Sequence, residues 1–205
     1  MSRSGNEAIE QAAAIAETTG SRNLPTWGDL PLPADTANLR DGANLHDGLL
    51  ALLPMVGVWR GEGVGHGLGD DGADLQYQEQ IIVSHDGRNY LNWQTRSWTV
   101  DAKGDYVAPL FRESGFWRIS EDDSIEVVIA HAEGSIELFY GKPLSQTAWE
   151  IATDALVSAA SAPKLHGAKR LYGIAEDGAL AYVEERLVDG ELAPRLSAKL
   201  DRYAG

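Results

Sequence analysis

Short runs of alternating apolar and polar residues fill most of the chain after residue 56. These runs are rich in Val, Ile, Tyr, Trp and Thr, and a period of two residues is typical of strands with one buried face. Turn-forming pairs such as Asp86-Gly87, Glu133-Gly134, Asp177-Gly178 and Asp189-Gly190 separate the runs. The pattern predicts strands at residues 57–65, 75–84, 89–100, 110–119, 124–131, 134–141, 146–153, 166–174, 179–186 and 195–203.

These strands suggest how the sheet is completed. The short connections favour antiparallel neighbours in an up-and-down order. An open sheet of about ten strands would leave two exposed edges, which invite aggregation, and closure removes both of them. The sequence therefore predicts an all-β fold, a closed antiparallel up-and-down barrel.

The segment before the strands has a different pattern. Leucines recur at helical spacing ahead of Pro54, and Asn44 is a suitable N-cap, so a short amphipathic helix is expected against the barrel: Leu45, Leu49, Leu52 and Leu53. Residues 1–38 are first rich in alanine and then in proline, which predicts a flexible or partly helical N-terminal extension. The barrel domain is accordingly assigned to residues 39–205.

The first predicted strand contains a row of glycines. Gly57, Gly61, Gly63 and Gly65 occupy alternate positions, so they share one face with Trp59. Glycine weakens a strand, and such a row is expected where the strand bends sharply or where another backbone or a ligand comes close. The opening strand of a small closed barrel fits this description.

This GxWxGxG pattern resembles the signature of the nitrobindins, a family of antiparallel β-barrels that hold heme b at one open end. Further segments are similar to the family in the same order within residues 45–203: 82–87, 113–118, 125–134, 169–172 and 192–200. The resemblance implies an architecture like that of fatty-acid-binding proteins and lipocalins. It also implies a ferric heme that binds nitric oxide or isomerises peroxynitrite.

One position departs from the family pattern. The family's heme-ligating histidine lies in a Leu-x-x-His-Leu context, and the matching residue here is Arg195. A guanidinium is a donor only, whereas heme iron needs a lone pair such as that of a neutral imidazole nitrogen. No cofactor is therefore expected from this comparison, and stable iron coordination in the family manner is not expected.

The orientation of Arg195 stays open at this point. Leu196, Ala198 and Leu200 form an alternating apolar set, which by itself places Arg195 on the outer face. The matching residue of the family points into the pocket, where an arginine could bind a carboxylate ligand.

Other residues are candidates for the pocket or for chemistry. Trp93, Trp98 and Trp117 either fill the core or line a ligand cavity, and His166, after the loop at 154–164, is the favoured substitute iron ligand. His85 and His131 lie beside turns and are expected to be structural. No spacing of histidines and carboxylates indicates a metal site formed by side chains. No catalytic residue is assigned: Ser84 and His85 point to opposite faces of a strand, and Glu184-Glu185-Arg186 is interpreted as solvated charge.

Composition limits the classes of partner and the chemistry that are expected of this chain. The 205-residue chain has 31 acidic and 17 basic residues and a net charge of −14, so neither nucleic acid nor a membrane surface is expected to bind it. It contains no cysteine, which excludes disulfides, thiolate ligands and cysteine nucleophiles. Without a leader or a long apolar run, the protein is expected in the cytoplasm as a monomer or homodimer.

Three hypotheses follow. The first is a binding module rather than an enzyme, a nitrobindin-like barrel that binds a small hydrophobic or carboxylate ligand. The second is a heme-dependent peroxynitrite isomerase whose iron is bound by a residue other than Arg195. The third is a scaffold that recruits another protein through its N-terminal segment.

Overall fold

The computed structural model describes residues 9–11, 13–14, 31–32 and 34–205. The chain divides into two compact units, of which the second comprises residues 34–205. In the first unit, residues 9–11 and 13–14 are helical and exposed. Most of the predicted extension at 1–38 lies outside the described residues.

Ten antiparallel strands form one closed barrel in which each strand pairs with its sequence neighbours and β1 pairs with β10. The strands are β1 Gly57–Gly65, β2 Leu75–Ser84, β3 Leu91–Val100, β4 Tyr106–Ile119, β5 Ile125–His131, β6 Ser135–Ser145, β7 Ala148–Ser158, β8 Ala168–Ile174, β9 Leu180–Val188 and β10 Glu191–Ala204. The predicted closed barrel is confirmed.

Most predicted boundaries are close to those observed, and the larger differences are extensions of strands. β4 begins at Tyr106, β7 continues to Ser158, and β10 begins at Glu191. The early start of β10 follows from its hairpin, because Asp189 and Gly190 both have positive φ values, 52° and 89°. That conformation is typical of a two-residue type I′ turn, which joins its strands directly.

A helix closes one end of the barrel. It is a 3-10 helix at Asp47–Met55 that begins after His46, whose Nδ1 accepts from the Gly48 amide at 3.1 Å, so the predicted N-cap at Asn44 is wrong. Leu49, Leu52 and Met55 are fully buried. Among the described residues, no helix combines the length and the apolar character needed to cross a bilayer.

Two tryptophans attach this helix to the barrel. The indole nitrogens of Trp59 and Trp149 each donate to a helix carbonyl at 2.8 Å, those of Met55 and Ala51. Buried indole N–H groups need a partner. The carbonyl of Met55 lacks one at the end of the helix, and that of Ala51 lacks one because Pro54, three residues on, has no N–H. Each bond therefore satisfies two groups at once and fixes the helix over the barrel end.

The glycine row of β1 allows close packing, as the pattern predicts. A Cβ atom at Gly61 would lie 2.1 Å from the carbonyl oxygen of Lys199 on β10. At Gly63 it would lie 2.3 Å from the ring of Tyr77. The missing side chains thus admit the neighbouring strand and an interior tyrosine.

The barrel interior has two layers. Next to the helix it is aromatic, and the rings of Trp93, Trp117 and Tyr172 lie with centroids 5.3–5.5 Å apart. Towards the other end it contains buried charged side chains: Glu79, Glu137, Arg170, Glu184 and Arg186. A ligand site is therefore expected at the end away from the helix.

Candidate functional site

A cavity of about 200 Å³ lies at the barrel end opposite the helix. It is bounded by the β5–β6 hairpin, by the connection between β7 and β8, and by the start of β10. Its lining is mixed, with apolar and charged side chains: Phe111, Glu113, His131, Glu133, Ser135, Pro163, Lys164, Leu165, Arg170, Glu184, Arg186, Arg195 and Leu196. We call it the open-end cavity.

Two arginines and three carboxylates form the floor of the open-end cavity. Arg170 bonds both oxygens of Glu113, at 2.6 and 3.0 Å, and its Nε lies 2.6 Å from Glu184. Arg186 contacts Glu184 at 2.8 Å and Glu137 at 2.9 Å. Buried charges are tolerated when they are paired. Both guanidinium groups are ion-paired, although Nε of Arg170 is close to Glu184 without forming a hydrogen bond of good geometry.

His131 completes the floor. Its Nε2 lies 2.8 Å from Glu137, and its Nδ1 lies 3.4 Å from Glu113. The ring is therefore held between two carboxylates. Both ring nitrogens therefore have an acidic neighbour, and Nε2 is hydrogen-bonded to Glu137.

The pKa values of the floor carboxylates reflect their partners. Burial raises the pKa of Glu137, but hydrogen bonds from His131 and Arg186 outweigh it and bring that pKa to about 2. Burial opposes ionisation of Glu113 too, and the charge of Arg170 lowers its pKa below the ordinary value. Both side chains are carboxylates at neutral pH.

Glu79 lies deeper in the barrel and differs from them. Burial raises its pKa to about 8, and the charges of Glu113 and Glu184 act in the same direction. Tyr182 donates to Glu79 at 2.7 Å, and the hydroxyl oxygens of Tyr182 and Tyr77 are 2.9 Å apart. Glu79 is therefore a neutral acid at pH 7 below the open-end cavity.

Arg195 lies at a bulge in β10 and faces the open-end cavity. Pro194 pairs with Glu185 and Leu196 pairs with Glu184, so Arg195 is an extra residue in the ladder. A bulge puts two neighbouring residues opposite one, and this turns Arg195 inward beside Leu196 although simple alternation would put it outside. The orientation left open by the sequence is thus inward.

The guanidinium of Arg195 is part-buried and has no hydrogen bond or ion pair with any described residue. Burial lowers its pKa below the ordinary value for arginine, whereas Glu184 acts in the opposite direction. Glu184 is already engaged by Arg170 and Arg186. Arg195 therefore presents to the cavity a guanidinium that has no direct partner among the described residues.

The other residues proposed for a pocket lie elsewhere. Trp93 and Trp117 are fully buried in the aromatic layer. Trp98 is on the outer face, where its indole nitrogen donates to Gln78 at 3.2 Å. His166 is exposed, and its carbonyl oxygen, not its ring, accepts a bond from Arg186 at 2.7 Å.

Sequence reasoning missed the charged floor. Glu184 and Arg186 were interpreted as solvated, yet they are only 2% and 8% exposed. The available signal was their position, because both share the inward parity of Leu180 and Tyr182 on β9. Charged residues at inward positions on strands β6, β8 and β9 would have predicted a buried ionic layer.

The chain is similar to proteins of one family. Residues 48–202 match the family described as the THAP4-like, heme-binding beta-barrel domain. Peroxynitrite isomerase 1 of Mycobacterium marinum is 57% identical, over 98% of this chain and 93% of the relative. Peroxynitrite isomerase 2 of Mycolicibacterium smegmatis is 55% identical, over 98% of this chain and 95% of the relative.

A solved structure agrees with these matches. The crystal structure of Rv2717c from M. tuberculosis superposes with a TM-score of 0.65 at 29% identity, covering 78% of this chain and 99% of that chain. The resemblance to the nitrobindins is confirmed. The expectation that no cofactor is bound is overturned, because the matched domain is a heme-binding one.

The cavity chemistry fits one part of a heme and not the other. Lys164 and Arg195 are cations without ion pairs among the described residues, and they suit the two propionates, while Phe111, Leu165 and Leu196 suit the ring. Iron needs a lone pair, but Arg195 has only donors and His131 is held by two carboxylates. The residues present therefore fit the porphyrin and offer no ligand for its iron.

Proposed function

Because the chain belongs to the family of THAP4-like, heme-binding β-barrel domains, we propose that it binds heme b at the open end of its barrel. The observation that carries the proposal is the open-end cavity, which combines apolar walls with the unpaired charges of Lys164 and Arg195. Its 200 Å³ is below the ~300–1,000 Å³ of clefts that enclose a whole ligand. The porphyrin therefore enters by one edge.

Arg195 takes the position of the family's heme-ligating histidine in this proposal. The proposal is supported by the inward orientation that the β10 bulge gives Arg195 and by its place at the cavity lining. The ring is then held by apolar contacts and by ion pairs with its carboxylates. No bond from Arg195 to iron contributes.

Titration with hemin, followed by its absorption near the Soret band, tests this proposal. We expect saturable binding by the wild-type protein with a broad band, because no imidazole of the cavity lining is free to bind the iron. Arg195→His places an imidazole at the same inward position, so a sharp, nitrogen-ligated Soret band is expected. Arg96→His is the matched control, since Arg96 is exposed on the outer face of β3.

Two results would count against the proposal. If the wild-type protein shows no saturable binding of hemin, the open-end cavity is not a heme site. If Arg195→His and Arg96→His give the same spectrum as the wild type, Arg195 does not occupy the position of the iron ligand.

A second candidate function is the isomerisation of peroxynitrite to nitrate. It is favoured by the high identity to proteins named peroxynitrite isomerase, with nearly complete coverage of both chains. It needs an iron ligand other than Arg195. Because His131 is held by two carboxylates, the candidate is His166, which follows the lining residue Leu165.

Stopped-flow measurement of peroxynitrite decay tests the second function. Hemin-loaded protein is expected to form nitrate faster than an equal concentration of free hemin, and Arg195→His is expected to be faster again. A rate equal to that of free hemin would reject isomerase activity while leaving heme binding intact. A loss of the rate in His166→Ala would assign the iron ligand to that residue.

A further inference from the structure

Arg195 has the features of a receptor for a carboxylate. Its guanidinium is part-buried, faces the open-end cavity and is without a partner among residues 34–205. A buried guanidinium is expected to be paired, because loss of its water is costly unless another group replaces it. Glu184 is the carboxylate that stabilises the charge of Arg195, but it forms no ion pair or hydrogen bond with it.

The pairing within the floor supports this point. Glu184 contacts Arg170 at 2.6 Å and Arg186 at 2.8 Å, so both of its oxygens are in use. Glu113 and Glu137 are bonded by the same two arginines and by His131. Glu133 also lines the cavity, but it is exposed at the rim. The floor leaves no carboxylate for Arg195.

A second cation lies at the same opening. Lys164 lines the cavity from the connection between β7 and β8 and has no ion pair with the described residues. Arg195 and Lys164 together provide two positive charges, whereas a natural porphyrin such as protoporphyrin IX provides two carboxylates. Guanidinium groups form bidentate bonds with carboxylates, and these bonds are among the stronger hydrogen bonds in proteins.

The centre of a porphyrin finds no comparable partner. His131 is the imidazole of the lining, and carboxylates lie at 2.8 and 3.4 Å from its two ring nitrogens. The lining has no cysteine or methionine either. Recognition at this site is therefore concentrated on the carboxylate edge of the ring.

We propose that the open-end cavity selects porphyrins by their carboxylates, through Arg195, and does not distinguish iron-loaded from iron-free rings. This inference rests on the proposed function, since it concerns the same cavity and the same class of ligand. It assigns to Arg195 the role of the residue that determines specificity. The ligand class it names is the carboxylated porphyrins, with hemin as one member.

Parallel titrations of the full chain test this inference by quenching of tryptophan fluorescence. The probes are hemin, protoporphyrin IX and protoporphyrin IX dimethyl ester, which has no free carboxylate. For the wild type we expect the dissociation constants of hemin and protoporphyrin IX to agree within about threefold, and the diester to bind at least tenfold more weakly, as the loss of a charge-assisted bond implies.

Variants distinguish a specific role of Arg195 from the effect of removing any one positive charge. Arg195→Gln should weaken protoporphyrin IX by about tenfold and leave the diester unchanged, whereas Arg96→Gln, which removes one exposed charge on β3, should change neither. Arg195→His should restore preference for the metal, with hemin at least tenfold tighter than protoporphyrin IX. Circular dichroism of each variant shows that the barrel is intact.

The possible failures are distinct. If the wild type binds hemin tenfold or more tightly than protoporphyrin IX, the inference is overturned and heme binding stands. If Arg195→Gln binds protoporphyrin IX as well as the wild type does, Arg195 is not the carboxylate receptor. If neither hemin nor protoporphyrin IX binds, the proposed function fails together with the inference.

Discussion

Glu79 is an acid that the barrel interior keeps protonated. Its pKa is about 8 in the folded protein, against 4.5 for an exposed glutamate, chiefly because it is buried. Between these values the folded state holds a proton that the unfolded state has released. The free energy of unfolding is therefore expected to fall as the pH rises from about 4.5 to 8, and to level off above.

Glu79→Gln should remove this pH dependence, because glutamine imitates the protonated acid at every pH. Thermal unfolding between pH 5.5 and 9 measures it. The wild type should lose stability relative to Glu79→Gln across this range, by about 3 kcal/mol at 1.36 kcal/mol per unit, since the pH rises about 2.5 units before it reaches the folded-state pKa. Glu113 and Glu137 have lowered pKa values and lose their contributions at acidic pH, outside this window.

Glu62→Gln is the control for this measurement. Glu62 is exposed on β1, so its substitution should shift the whole curve slightly without changing its slope. Parallel curves for the wild type and Glu79→Gln would show that Glu79 is ionised in the folded protein.

Single residues also show where the sequence misleads. Glu184, Glu185 and Arg186 look like one exposed charged run, yet Glu184 and Arg186 face the interior and Glu185 does not. The alternation of β9 gives the orientation of these side chains but not the partners that neutralise them, because Glu137 and Arg170 come from β6 and β8. The charges match only after the barrel closes.

At the scale of elements, β1 depends on the absence of side chains. A Cβ at Gly61 would be 2.1 Å from the carbonyl oxygen of Lys199 and 2.7 Å from Cα of Leu200, and neither backbone atom can move without separating β1 from β10. Gly61→Ala should therefore destabilise the protein by at least ~1–3 kcal/mol, the usual cost of overpacking. Urea denaturation measures the change.

Gly173→Ala is the matched control for Gly61→Ala. Gly173 also lies in a strand, β8, but a Cβ there would meet only the carbonyl oxygen of Thr147 at an ordinary 3.6 Å. Its stability should stay within about 0.5 kcal/mol of the wild type. Equal losses in the two variants would mean that chain entropy, and not the approach of β10, explains the glycine row.

The strands themselves were largely predictable, and their irregularities were not. Alternation and turn residues located β1 and β2 to the residue, because each has one face in the core. The bulge at Arg195 has no comparable signal: Pro194 and Leu196 fit a regular strand as well as a bulged one. Only the pairing with β9 shows which side the guanidinium faces.

At the scale of the whole molecule, closure was predictable from strand number and the site was not. The need to remove exposed edges favours a barrel, and the GxWxGxG motif indicates its family. The open-end cavity draws residues from β4, β5, β6, β8, β9, β10 and two connections, and no local pattern joins them. Of the residues predicted for a site, Arg195 is the one that lines it.

The helix at Asp47–Met55, fixed by Trp59 and Trp149, covers the barrel end opposite the open-end cavity. A molecule held there has to depart by the route it took inward. A competing ligand cannot enter from the opposite end, so exchange requires that the bound ligand dissociates first. The rate of ligand exchange should then be independent of the concentration of the competing ligand.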